Sequence, residues 1–284
     1  MYRCYNLICE TEEKLVELLR KYFYYSDFHN NELSEEEKKE KKKRKSELEN
    51  YICTKHIIKP EEKIENILDA DLMRKDYFPF KEKFDIFLSH SHQDKKTVLI
   101  LKNFFETKLG LRVFVDSCAW QNCNELLKQI DDEYCLNPDQ RTYSYLQRNK
   151  TTAAVYMMLS TALTQMMDRC DCVIFLNTPQ SNIADADSGT IQTLSPWLYH
   201  ELSTVNLLRC KTPKEMVQLS KGQKSVPIDE SRGVPPIKYT INQLDKMQTI
   251  QIEKLVSYLK NEPINKYDNN PRNILIAMYK YFDL

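Results

Sequence analysis

Short apolar runs alternate with longer helical patterns through the middle of the chain, and this alternation constrains the fold more than any other feature. Phe84-Asp85-Ile86-Phe87-Leu88 is followed by a helical spacing through Val98, Leu101, Phe105 and Leu109, with Gly110 placed to close the helix. Leu111-Arg112-Val113-Phe114-Val115 is a second apolar, β-branched run, ending at Asp116. A helical stretch from about 151 to 168 leads to a third, Cys172-Val173-Ile174-Phe175-Leu176, and Lys224-Ser225-Val226-Pro227-Ile228 reads as another. Strands separated by helices predict an α/β fold with a parallel sheet covered on both faces. Ligands in such sheets bind beyond the carboxyl ends of the strands. Those ends are Ser89-His90-Ser91-His92, Asp116-Ser117 and Asn177-Thr178.

A helix is predicted to start at Ser195, a good N-cap, with Pro196 at the first helical position, where its missing N–H costs nothing. At about 100° per residue, with Trp197 at zero, Leu208, Val205, Leu198 and Leu202 spread over an apolar stripe, and Glu201 falls near 40°, inside it. A carboxylate facing a core is costly unless a partner or a ligand there needs it. Two readings stand side by side: a stripe-edge Glu held by a backbone N–H or an Arg, and a functional carboxylate.

The 284 residues allow one large or two modest domains. Lys+Arg and Asp+Glu are both 41, so no global positive field recruits nucleic acid or an anionic membrane. The nine cysteines form no C-x-x-C pair, and the first residues lack the apolar core of a signal peptide, which predicts reduced thiols and a cytoplasmic location. No apolar run approaches the roughly 18 residues of a membrane span. With only Gly110, Gly189, Gly222 and Gly233, neither G-x-G-x-x-G nor a P-loop can be built, so any nucleotide is held without a glycine-rich cradle. His90 and His92 with Cys118 and Cys123 make no closed four-ligand set, and no metal is expected.

Residues 1 to 80 read as charged and helical. Ser34 with Glu37 forms a capping box, and acids 35 to 37 precede the basic run 38 to 45. A second helix is predicted from Pro60, burying Ile64, Ile67, Leu68 and Leu72. Beyond 236, Leu244 to Leu259 and Ile274 to Phe282 predict two closing helices.

Taken together, Phe84 to Ser91 resembles the first box of Toll/interleukin-1 receptor (TIR) domains, and Gly110 to Asp116 resembles their second strand and following loop. Leu176-Asn177-Thr178-Pro179-Gln180-Ser181, then Ser195-Pro196-Trp197 and Glu201-Leu202, resembles the strand, loop and W-x-x-x-E helix of TIR domains that consume NAD. The resemblance covers about residues 83 to 230. It implies a flavodoxin-like five-stranded parallel sheet, with a helical extension at 1–80, the TIR domain at 81–235 and a C-terminal helical extension at 236–284 packed on it. Segments 117–150 and 180–194 are longer than usual in such domains and are expected to border the pocket.

The implied activity is cleavage of the nicotinamide–ribose bond of NAD+, which is substrate rather than cofactor. Nicotinamide departs from a pyridinium as a neutral base, so no strong acid is required, and the developing oxocarbenium ion needs a carboxylate, the role that falls to Glu201. Binding contacts are carried over to Ser89, His90, Ser91, His92, Asp116, Asn177 and Trp197, with Arg112 a further phosphate contact. The product would be ADP-ribose, cyclic ADP-ribose or an ADP-ribose adduct, an immune signal in bacterial anti-phage defence resembling Thoeris. Self-association and a downstream effector reached through the diffusible nucleotide follow from the same resemblance, without nucleic acid or membrane as partner. A non-catalytic TIR adaptor and a deoxyribosyltransferase-like nucleoside-exchange enzyme are the other readings.

Overall fold

The strand and helix alternation builds a five-stranded sheet in which every pairing is parallel. The computed structural model of the chain describes residues 3–23, 48–53, 67–80, 83–184, 190–208, 239–241, 244, 247–261 and 270–282. The strands in chain order are β1 Arg3–Ile8, β2 Ile52–Cys53, β3 Ile67–Leu68, β4 Ile86–Ser89, β5 Val113–Phe114, β6 Cys172–Asn177, β7 Ile183–Ala184, β8 Ile191–Thr193, β9 Tyr239–Thr240 and β10 Gln248–Gln251. The central sheet has the order β10-β1-β6-β4-β5, while β2-β3 and β7-β8-β9 form small antiparallel sheets.

The sheet is α/β, parallel and five-stranded as expected, but two of its strands lie outside 83–230. The terminal segments, read as helical, contribute β1 and β10. Tyr5 and Leu7 are buried on one face of β1, and Asn6 is buried between them in sequence, the period of two that a sheet imposes. β1 then occupies the place beside β6, in register from Arg3 opposite Cys172 to Ile8 opposite Asn177. The expected strand at 224–228, the capping box at Ser34 and the helix start at Pro60 lie outside the described residues. Ile67 and Leu68 are in β3 rather than a helix. The following helix, Ala70–Tyr77, is capped by Asp69, whose carboxylate accepts the N–H groups of Asp71 and Leu72. Its buried residues are Met73 and Tyr77, with Leu72 42% exposed.

Helices cover both faces. Glu12–Tyr22, Lys95–Leu109, Ile252–Asn261 and Pro271–Phe282 pack on one face, over Tyr5, Leu7, Leu88 and Ile174. On the other, Ala70–Tyr77, Cys123–Tyr134 and Tyr145–Arg169 enclose Phe87, Phe114, Trp120 and Val173. The segment 117–150 is therefore mostly helical rather than a loop, and β7 and β8 fall within 180–194. Gly110 closes the Lys95 helix at φ 62°, a left-handed conformation that glycine adopts without strain. Among the described residues no helix is long and apolar enough to cross a membrane.

Candidate active site

From β4 the chain goes to β5 on one side and then returns to β6 on the other. The carboxyl ends of β4 and β6 therefore flank the point where strand order reverses, which is where open parallel sheets hold ligands. Ser89 ends β4 there, and Asn177 ends β6.

The Pro196–Leu207 helix crosses this point. Ser195 Oγ accepts the Leu198 N–H at 3.3 Å, so the N-cap read from the sequence forms. Leu198 and Leu202 pack against Phe175, Ile241 and Leu244, whereas Trp197, Val205 and Leu208 face the cluster around Phe87 and Phe114. Glu201 projects between these apolar groups and is only 6% exposed. Its Oε2 accepts a hydrogen bond from Ser89 Oγ at 2.5 Å, joining helix to sheet across 112 residues of chain. Among the described residues no cation pairs with it. Burial pushes its pKa up to about 8, the nearby Asp116 charge adds to the rise, and the Ser89 hydrogen bond opposes both.

His90 lies beside this pair. Its ring is buried, Nδ1 is 3.4 Å from the Leu88 carbonyl oxygen, and Nε2 is 4.0 Å from Asp116 Oδ1. Burial lowers its pKa, with Asp116 pulling the other way, so burial favours the neutral ring. Asp116 is part-exposed, begins the short Asp116–Ala119 helix and takes the Ser117 N–H at 2.6 Å.

The other expected contacts separate. Ser91 caps the turn His92–Asp94, and His92 is exposed. Asn177 is tied sideways, donating to Asn6 Oδ1 at 2.9 Å and accepting from Asn182, while Asn6 donates to Thr249; the result is an amide ladder across β6, β1 and β10. Trp197 stands edge-on to Tyr156 with centroids 5.4 Å apart, on the protein's own core. Arg112 is corrected as a phosphate contact. It precedes β5, at the amino end of the sheet, and binds the Asp85 carboxylate through its backbone N–H at 2.8 Å and through Nε at 3.3 Å.

Among the buried polar groups that the sequence did not reveal is Asp94. Asp94 accepts from Thr178 Oγ1 at 2.7 Å, and Thr178 in turn is locked to Ser181 in a tight turn after β6. Burial raises the Asp94 pKa. Nothing local to Asp94 in the sequence reveals a partner 84 residues away. Among the described residues no group of three or more His, Cys, Asp or Glu side chains could hold a metal ion. Comparison of the chain with known protein families, with curated proteins and with solved structures finds no match.

Proposed function

We propose that the chain is a TIR-like enzyme of flavodoxin-like architecture that cleaves the nicotinamide–ribose bond of NAD+, in the manner of the anti-phage branch that its motifs resemble. One observation carries this reading: Glu201 is buried at the carboxyl-end switch point, bonded to a hydroxyl and opposed by no cation among the described residues. A structural carboxylate would be paired, and an adaptor surface has no use for a buried, uncompensated acid.

The chemistry follows from that environment. Burial favours the protonated form of Glu201, with its pKa pushed up to about 8, and the arriving pyridinium ring favours the ionised form. The carboxylate then bonds the ribose hydroxyls and stabilises the positive charge that grows as the C–N bond breaks, its electron pair leaving with neutral nicotinamide. Attack by water at the same carbon, with loss of one proton, gives ADP-ribose; attack by a nucleophile elsewhere on the dinucleotide gives a cyclic product. Ser89 keeps the carboxylate aimed.

Purified protein incubated with NAD+ and assayed by chromatography is expected to release nicotinamide, and Glu201→Gln is expected to lower the rate by about 100- to 1,000-fold. Melting temperature on the same preparations separates the outcomes. An inactive, stable variant supports catalysis, an unstable one supports a structural role, and an active, stable one assigns the chemistry to another residue.

A further inference from the structure

His90 carries an unused acceptor inside the site. Its side chain is 3% exposed. Nδ1 lies against the Leu88 carbonyl, which only accepts, so the neutral ring keeps its proton on Nδ1 and presents Nε2 as a lone pair. Among the described residues Nε2 has no hydrogen-bond partner. It faces Asp116 Oδ1 across 4.0 Å, beyond direct hydrogen bonding, and both atoms are acceptors. A donor about 2.9 Å from each would satisfy both, and a buried acceptor left unsatisfied is costly. The gap lies beside Ser89 in sequence, and Asp116 is near enough to raise the Glu201 pKa.

We propose that His90 Nε2 and Asp116 Oδ1 form a two-acceptor clamp for a substrate group bearing two polar hydrogens. The clamp rests on the NAD+ reading, whose substrate supplies such hydrogens from two sources: the carboxamide NH2 of nicotinamide and the hydroxyl pair of the adjoining ribose. Both are donors. A nicotinic-acid dinucleotide, which replaces the NH2 by a carboxylate oxygen, would meet two acceptors head-on.

The test measures kcat and KM for NAD+, for nicotinic acid adenine dinucleotide and for NAD+ lacking the 3′-hydroxyl of the nicotinamide ribose. The proteins are the native chain, Asp116→Asn and His90→Gln. Native protein is expected to disfavour one analogue by roughly 10- to 100-fold in kcat/KM, chiefly through KM, and the analogue penalised identifies the group held. Asp116→Asn, at a part-exposed position, supplies an NH2 of its own, so the penalty should shrink at least severalfold. If the acid analogue is the one penalised, it should gain activity in absolute terms. His90→Gln should shrink the same penalty. Equal treatment of all three substrates, or a penalty unchanged by both variants, overturns the clamp and leaves the pair bridged by water. Absence of both NAD+ cleavage by native protein and NAD+ binding by Glu201→Gln in titration calorimetry overturns the NAD+ reading itself, and the clamp with it.

Discussion

Glu201 and Ser89 set what can be expected of single residues. A carboxyl whose folded pKa is raised contributes stability that is complete below its unfolded pKa and is lost as pH rises through the folded value. With Glu201 pushed up to about 8, the native chain should lose stability progressively between about pH 4.5 and 8, by several kcal/mol at most at about 1.4 kcal/mol per unit. Glu201→Gln should flatten that dependence and melt higher than native protein at pH 8; equal melting curves across the range would remove the buried acid from the argument. For activity the sign reverses, because the ionised form is the one that stabilises an oxocarbenium ion. The kcat/KM profile should therefore climb through the same region. Ser89→Ala removes a hydrogen bond that favours the carboxylate, so Glu201 should titrate still higher. About a tenfold loss of kcat/KM at pH 7, partly recovered near pH 9, is the expected result, since hydrogen bonds to charged groups contribute roughly 1.5–3 kcal/mol. A pH-independent loss would instead make Ser89 a packing residue.

At the level of elements, boundaries that depend on backbone chemistry were readable from the sequence, and those that depend on burial were not. Ser195-Pro196 begins its helix and Gly110 ends another because capping and positive φ are local properties. An added Cβ at Gly110 would meet nothing within 4 Å. Gly110→Ala should then cost only the left-handed conformation, about 1–2 kcal/mol, with nicotinamide release unchanged at temperatures below melting. A much larger drop in melting temperature would show that the turn relaxes into the Leu111 core. The burial expected for Leu72 failed for the opposite reason: Leu72 lies in the Ala70–Tyr77 helix but is 42% exposed, while Met73 and Tyr77 meet the second core.

On the scale of the whole molecule, β1 is an interior strand paired on both sides, by β6 and β10. Deleting residues 1–9 should prevent cooperative folding rather than trim an appendage, because it opens the sheet and removes the buried Tyr5, Leu7 and Cys9. Circular dichroism and thermal melting check this; a truncated chain that melts cooperatively near the native temperature would return the first residues to the status of an added layer. A single domain presents one wall to a dinucleotide as long as NAD+, and on the TIR-like reading a second copy completes the pocket. Activity per protomer should then rise with concentration in step with mass measured by light scattering. A strictly monomeric species with a linear rate dependence would end that expectation.

The alternation of apolar runs determined from sequence alone that the sheet is parallel and that β4, β5 and β6 belong to it, since period and turn chemistry act over a few residues. It also singled out Glu201, because a carboxylate inside an apolar stripe conflicts with its own helix wherever that helix packs. Only the tertiary structure decided what Glu201 meets. The Ser89 hydroxyl lies 112 residues away, Thr178 reaches Asp94 across 84, and β1 pairs with β6 across the greater part of the chain. Tyr5 and Leu7, alternating with Asn6, are compatible with any half-buried strand. Their place beside β6 follows from which edge was free and which core was open, quantities that exist only once the rest of the chain has folded around them.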